Sequence, residues 1–205
     1  MMPVTLQTAL MFALTSAAIE VTPGPNMTYL ALVSLRSGRR AGFAAVAGVA
    51  LGLEIVGLAM AFGLSEALAG WPIAFTFLRW GGIAFLFYLA WEAWRQGGDS
   101  TDTEIETSGG YFRKALITNL LNPKAAVFYL AVLPSFLDPN RTPIVQTVFL
   151  STLYVAVATI IHSIIVGSAA AMQPLLTNQR SMARSGKVFG LALVVVALWV
   201  AWETR

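Results

Sequence analysis

The sequence predicts an all-α membrane protein with six transmembrane helices, and both its composition and the lengths of its apolar segments support this. Of the 205 residues, 57% are hydrophobic and only 11% are charged, and the mean hydropathy is +0.72. A soluble domain has roughly 25% charged residues. A bilayer core about 30 Å thick needs roughly 20 apolar residues per helix, so the chain has room for six spans but for no large extramembrane domain.

Six apolar segments carry this prediction, and each is too long for a barrel strand and lacks an alternation of period two. They cover residues 4–35, 41–65, 71–94, 112–137, 144–173 and 187–202. The first segment follows a start without Lys or Arg, so we expect it to be a span and not a cleaved signal. Residues 96–110 are rich in Gly, Ser, Thr and acidic residues, which is typical of a flexible linker.

Basic residues are distributed unevenly among the loops. The first, third and fifth loops hold nine Lys and Arg residues, whereas the second and fourth loops and the C-terminus hold only Arg141 and Arg205. The positive-inside rule therefore predicts that both termini lie outside the cytoplasm and that the 96–110 linker lies inside. If the first segment does not cross fully, five spans with the N-terminus inside are the alternative.

Several function classes are excluded by composition. The chain has no cysteine and a single histidine, which excludes disulfides, thiolate metal sites and histidine clusters. The net charge of +3 comes from basic residues in short loops, where topology explains them better than nucleic-acid binding does. We therefore expect the lipid bilayer as a partner, and no metal site or nucleic acid.

The first segment would be a straight helix of about 48 Å, which is too long for the bilayer unless the helix is tilted or broken. Near its middle stand Thr22, Pro23, Gly24, Pro25 and Asn26. The two prolines remove backbone N–H groups, and glycine allows dihedral angles that a helix does not use. We predict a break at this position.

The fourth segment contains a second predicted break, at Asn122 and Pro123, where a favoured N-cap residue precedes a favoured first helical residue. The breaks are about half the chain apart, and each opens a unit of three segments. The sequence therefore predicts two inverted halves, residues 1–98 and 99–205, with a substrate site at the midplane where the breaks meet. The alternative is that each proline only kinks a packed helix.

A half-helix that begins at a break presents N–H donors to a carboxylate, beside freed carbonyls that accept from an ammonium group. Such a pair suits a zwitterion. The predicted substrate-binding residues are Thr22, Pro23, Gly24, Pro25, Asn26, Asn122, Pro123 and Lys124.

Charged residues inside the membrane cost roughly 2.5–3.5 kcal/mol each at a helix centre and need an explanation. We expect Lys124 to pair with Glu20 or Glu54, either for function or only to fix helix register. Glu54 is our first candidate for proton coupling or for binding the substrate ammonium, with Glu20 and His162 as further candidates. For His162 the competing interpretation, a hydrogen-bonded histidine in the bundle, is favoured over a proton relay.

Small residues at four-residue spacing allow helices to approach closely. Two such stripes occur, and we predict that they pack within the chain, although a homodimer is left open. The stripes are Ala44, Gly48 and Gly52, and Ser163, Gly167 and Ala171.

Three motifs, in order along nearly the whole chain, resemble the LysE/RhtB family of amino-acid exporters. They are TPGPNM at 22–27, GRRAG at 38–42 and NLLNPKAA at 119–126, which leads into LPSF at 133–136. The resemblance implies a bacterial inner-membrane exporter of amino acids or their derivatives, a small-molecule substrate, that is driven by protons and works without a bound cofactor. The sequence has no Ser/His/Asp set, metal-ligand cluster or nucleotide-binding glycine pattern, so we do not expect an enzyme. Glu20 stands where many relatives have an aliphatic residue. A cation transporter on a related six-helix scaffold and a membrane-embedded enzyme are the alternatives.

Overall fold

Helices form every regular element in the part of the chain that the structure describes. The computed structural model describes residues 3–22, 24–64, 72–96, 107–173 and 179–203. The helices are α1 (Leu6–Val21), α2 (Pro25–Ala59), α3 (Pro72–Gln96), α4 (Ser108–Leu120), α5 (Pro123–Val127), α6 (Pro143–Ala171) and α7 (Gln179–Glu203). A π-helical turn, Met60–Leu64, follows α2, and a π-helical turn, Phe128–Val132, and a 3₁₀ turn, Leu133–Phe136, follow α5. Residues 97–106 of the predicted linker lie outside the described ranges, whereas 108–110 already belong to α4.

The predicted break in the first segment is confirmed. α1 ends at Val21, and the next residue, Thr22, has extended dihedral angles. Gly24 is the extended N-cap of α2, and Pro25 occupies its first turn. Proline suits this position because it has no N–H to leave unpaired and its φ angle is already helical. Pro23 lies outside the described residues.

The predicted break in the fourth segment is confirmed as well. α4 and the helix that begins at Pro123 meet at an angle of 47°. Asn122 is the N-cap, and its Oδ1 accepts a hydrogen bond of 3.0 Å from the backbone N–H of Lys124. This side-chain cap fixes the direction in which the second half of the segment leaves the break.

A sharp turn at Gly38 divides α2 into two parts, residues 25–37 and 39–59. Gly38 has φ +79° and ψ −177°, which only glycine adopts without strain. Ser34 and Gly42 would be about 12 Å apart along one straight helix, yet a Cβ atom on Gly42 would clash with the Ser34 hydroxyl. The chain therefore folds back at Gly38, which is where the first and second predicted segments are separated.

Apolar helices of spanning length are present in the described chain. By length and composition they are Pro25–Gly63, Pro143–Ala171 and, if the bent pair counts as one span, Ser108–Leu120 with Pro123–Phe136. Because the chain turns back at Gly38, the spanning part of the first stretch is the part after that turn. Leu6–Val21 and Gly190–Trp202 are apolar but shorter. The chain is thus an all-helical protein with membrane-compatible helices, and the count of six spans stays a prediction.

Ends of several helices lie close together at two places, one at each end of α6. At one of them, which we call the basic end, the hydroxyl groups of Ser37 and Tyr111 lie 2.7 Å apart, and Gln173 Nε2 donates to a carbonyl of the Gly38 turn. At the other, Arg141 Nη1 donates to the Pro3 carbonyl over 3.2 Å. α1 therefore starts at the end opposite to the start of α4, and the two broken segments run in opposite directions.

Helices of the two predicted halves pack directly on each other, since α2 lies against α4 and α6, and α1 lies against α6. A Cβ atom on Gly48 would clash with the Phe112 carbonyl, and one on Gly52 would lie 2.7 Å from Asn119 Oδ1. The stripe around Gly48 thus packs within the chain, as predicted. A Cβ atom on Gly167 would meet nothing within 4 Å among the described residues, so the packing of the second stripe stays a prediction.

Candidate functional site

A hydrogen bond joins the two helix breaks. Lys124, in the first turn of α5, donates from Nζ to the carbonyl oxygen of Thr22 over 2.8 Å. Thr22 follows the last residue of α1, so its carbonyl lies outside the regular helical ladder and is available to a partner from another element. The contact spans 102 positions of sequence and connects the two predicted halves of the chain.

The lysine side chain lies against Gly24. A Cβ atom at Gly24 would be in van der Waals contact with it, 3.4 Å from Lys124 Cδ and 3.7 Å from Nζ. The Lys124 ammonium consequently lies beside the N-terminus of α2, which no side chain caps. An ammonium group and the uncapped N–H groups of a helix are both donors that suit a carboxylate.

A small cavity lies on the other side of the same breaks. It has a volume of about 10 Å³, which is room for about one water molecule. Both breaks contribute to its wall, since Pro25, Asn122 and Pro123 line it together with Gly82, Phe85, Leu86, Thr118 and Leu121. An amino acid would need the breaks to separate before it could enter.

A second cluster of polar side chains is buried between α1 and α6. The Tyr154 hydroxyl donates a short hydrogen bond to Glu20 Oε1, and His162 Nε2 lies 3.1 Å from Glu20 Oε2. Exposed fractions are 6% for Glu20 and 1% for both Tyr154 and His162. A buried carboxylate is tolerated only with such partners. Tyr154 donates a hydrogen bond to one oxygen, and His162 Nε2 lies within ion-pair distance of the other without a well-aligned hydrogen bond.

Aromatic rings separate this cluster from solvent. Phe128 stacks on Tyr154, with centroids 3.9 Å apart and an interplanar angle of 17°. Tyr129 meets the same ring edge to face at 5.5 Å, and its hydroxyl donates to the Leu53 carbonyl over 2.9 Å. Phe128 and Tyr129 follow Lys124 within two turns, so one short stretch supplies both the bridging lysine and the apolar cover of Glu20.

The predicted ion pair between Lys124 and a carboxylate is not formed in this structure. Within the described ranges, the ammonium of Lys124 bonds to a backbone carbonyl and no carboxylate oxygen lies within 4.0 Å of it. The reason is that Glu20 directs both oxygens to α6. The two groups are still close enough for their opposite charges to attract each other.

Glu54, our first candidate for proton coupling, lies apart from Lys124. It is half-buried where α2 packs on α6, and its Oε1 accepts a hydrogen bond of 3.1 Å from Thr152 Oγ1. The Thr152 hydroxyl also reaches the Val148 carbonyl of its own helix. The structure therefore brings Glu20 and His162 together, and it places Glu54 in a separate, polar contact.

The structure brings most of the predicted binding residues together, and it adds Tyr154, which the sequence did not single out. Thr22, Gly24 and Lys124 are in contact, and Pro25, Asn122 and Pro123 share one cavity. Asn26 is buried next to them, and its Oδ1 has no hydrogen-bond partner among the described residues.

Tyr154 was missed in the sequence, although one signal was available. It precedes the single histidine by eight residues on α6, which places both side chains on one face of the helix. In the described part of the chain, no group of three or more His, Asp or Glu side chains is placed to hold a metal ion.

Comparison with known proteins decides the family. The model of the LysE type translocator matches residues 17–204, which includes both breaks, the Gly38 turn and the Glu20 cluster. The chain belongs to the LysE type translocator family. It is thus a multi-pass membrane protein of a transporter family, and the resemblance of its three motifs to this family is confirmed.

Named relatives of this LysE-type chain cover nearly its whole length. A homoserine/homoserine lactone efflux protein of Salmonella typhi is 28% identical over 193 residues, which are 93% of this chain and 94% of the relative. The protein of the same name in Salmonella typhimurium is 27% identical over the same shares. An uncharacterized membrane protein of Vibrio cholerae is 29% identical over 88% of this chain and 90% of its own. No solved structure matches the chain.

Proposed function

We propose that this LysE-type translocator exports small amino acids or their derivatives across the bacterial inner membrane in exchange for protons, and that it holds the substrate between the two helix breaks. The observation that carries the proposal is the contact between Lys124 Nζ and the Thr22 carbonyl. It brings a cation and a backbone acceptor from the two breaks together at one point, and a zwitterion needs a partner of each kind.

The substrate carboxylate binds on the Lys124 side of this point. Lys124 lies beside Gly24, the N-cap of α2, which has no side-chain cap. A carboxylate placed there receives hydrogen bonds from the ammonium and from backbone N–H groups of the first turn of α2. Charge-assisted bonds of this kind are about twice as strong as neutral ones.

The substrate ammonium binds on the Thr22 side. When Lys124 turns to the substrate carboxylate, it releases the Thr22 carbonyl, which then accepts from the incoming ammonium. Glu20 lies two residues before Thr22 at the end of α1 and supplies a negative charge close by. Without substrate, the bond between Lys124 and the Thr22 carbonyl closes the site. With substrate, each of these two groups bonds to the substrate instead.

The position of the breaks supports a site near the bilayer midplane between inverted halves. α1 has 16 residues and α4 has 13, so the breaks lie about 24 Å and about 20 Å from the starts of their helices. The starts are at opposite ends of α6. For a hydrocarbon core of about 30 Å plus interfaces, both breaks fall near the middle.

Substrate class and direction come from the relatives, since two of them are named as efflux proteins for homoserine and homoserine lactone. The orientation we propose places both termini outside the cytoplasm. The exposed Arg39, Arg40 and Arg113 all belong to the basic end, which fits a cytoplasmic location for that end.

The proposal is tested by flux in proteoliposomes that contain the purified protein. Vesicles loaded with homoserine, with homoserine lactone or with divalent metal ions are placed in medium of lower external pH, and release of each solute is followed with time. We expect homoserine or its lactone to leave faster when the pH gradient is present. Release of metal ions alone, or of no amino compound, would contradict the proposal.

The breaks themselves are tested by Pro123→Ala, with Pro143→Ala as the matched control. Both prolines occupy the first turn of a helix, but Pro143 lies at the start of α6, close to the Asp138–Arg141 loop and away from the breaks. We expect Pro123→Ala to lower homoserine flux at equal protein in the membrane and Pro143→Ala to leave it near wild type. Equal flux from both variants would argue against the site.

A further inference from the structure

We infer that Glu20 and His162 form the proton-binding site of the transporter, and that a proton on His162 competes with the substrate ammonium for the charge of Glu20. This rests on the proposed function. His162 Nε2 lies 3.1 Å from Glu20 Oε2, and both side chains are almost completely buried. The pair joins α1, which ends at the first break, to α6 of the other half.

The surroundings of the pair contain few other titratable groups. Within the described ranges, Tyr154 of α6 donates to Glu20 Oε1 and Tyr129 packs on the Tyr154 ring. Lys124 of α5 is the nearby cation, and Glu54 of α2 acts electrostatically on Tyr129. The imidazole of His162 is thus the neutral base beside Glu20 that can accept a proton.

Protonation of His162 changes the net charge beside the first break. A proton from the outer solution adds to the free nitrogen of the neutral imidazole, and both ring N–H groups of the resulting imidazolium are donors. The pair of His162 and Glu20 then carries no net charge. In the neutral form of His162, Glu20 keeps a net negative charge that attracts a cation at the break.

The proton and the substrate ammonium compete for the charge of Glu20, so the transporter exchanges one for the other. With His162 neutral, the Glu20 charge favours the substrate ammonium at the Thr22 carbonyl while Lys124 holds the carboxylate. With His162 protonated, the ammonium loses this attraction and the substrate leaves. On the outward-facing side, where the pH is lower, the proton therefore replaces the substrate, and on the cytoplasmic side the proton leaves before the next substrate binds.

The proton site is tested first without any substrate. The chain has one histidine, so protein labelled with ¹⁵N-histidine and purified with a histidine-free tag gives the NMR signal of His162 alone. We expect the signal to change as the pH is lowered, because the imidazole takes up a proton. In Glu20→Gln the change should require a lower pH than in the wild-type protein, because an adjacent carboxylate stabilises the imidazolium.

Glu54→Gln is the matched control, because it removes the same charge from the neighbouring contact with Thr152. The His162 signal should titrate in this variant as in the wild-type protein. An identical titration of wild-type protein and Glu20→Gln would overturn the proton site, and so would a shift in Glu54→Gln as large as that in Glu20→Gln.

Coupling is tested by the ratio of homoserine release with and without a pH gradient. His162→Gln should lose the acceleration by the gradient, whereas Glu54→Gln should keep it. A wild-type ratio in His162→Gln would overturn the inference. If wild-type protein moves no amino compound at all, the proposed function fails, but the NMR titration still decides whether Glu20 and His162 bind a proton together.

Discussion

Replacing Lys124 by methionine should impair the transport of an amino acid much more than that of its lactone. Homoserine has a carboxylate, whereas in homoserine lactone the carboxyl group is closed into a neutral ring. If the Lys124 ammonium holds the substrate carboxylate, its removal costs binding energy only for the open acid. Methionine is one atom shorter than lysine but keeps an unbranched apolar stem, so the packing over Gly24 is retained.

The size of the effect follows from the bond that Lys124 already makes. A hydrogen bond with a charged group contributes about 1.5–3 kcal/mol. Part of this is offset, because the ammonium must first give up the Thr22 carbonyl that it contacts at 2.8 Å. A net gain of about 1–2 kcal/mol remains, so KM for homoserine should rise about 5- to 30-fold in Lys124→Met.

The assay is the initial rate of uptake into inside-out vesicles, measured over a range of concentrations of each compound. Lys187→Met is the control, since Lys187 is an exposed basic residue on α7 outside the site. We expect KM for the lactone to stay near the wild-type value in both variants. An equal rise for the acid and the lactone in Lys124→Met would refute a carboxylate-binding role for this residue.

Three further predictions concern stability and are measured as thermal unfolding midpoints in detergent. Gly48→Ala should destabilise the protein by about 1–3 kcal/mol, because the added Cβ atom clashes with a backbone carbonyl of α4. The control Gly167→Ala should be neutral or stabilising. A larger loss of stability in Gly167→Ala than in Gly48→Ala would contradict the packing of α2 on α4. Gly38→Ala should also destabilise by about 1–3 kcal/mol, because φ is +79° there; an unchanged midpoint would argue against the turn. Gln146→Leu should cost about 1–3 kcal/mol, because the buried amide of Gln146 exchanges hydrogen bonds of 2.8 and 2.9 Å with the backbone of Asp138 in the loop before α6. A midpoint at the wild-type value would show that this loop is held by other contacts.

Much of the architecture could be predicted because it depends on local chemistry. Long apolar segments with few charges must be helices in a bilayer, since backbone groups have no other partners there. The breaks before Pro25 and Pro123 could be located because proline ends a helix through its own covalent structure. The family could be recognised from the motifs around the same positions.

Which partners the buried charges have could not be predicted, because this depends on how distant helices are placed. Lys124 has the Thr22 carbonyl as its partner and not a carboxylate, since the two oxygens of Glu20 face Tyr154 and His162 of α6. Glu20 and Glu54 look alike in the sequence, as single acids within apolar helices. Only one of them faces the histidine.

The sequence by itself determined that this chain is a helical membrane protein of the LysE type, with two interrupted helices half a chain apart. Composition, proline chemistry and helix length are properties of each segment alone. Only the tertiary structure decided that the two interruptions touch, that Glu20 and His162 are neighbours, and that Gly48 packs on another helix. These contacts depend on the relative rotation and depth of packed helices, which many side chains set together and no single segment encodes.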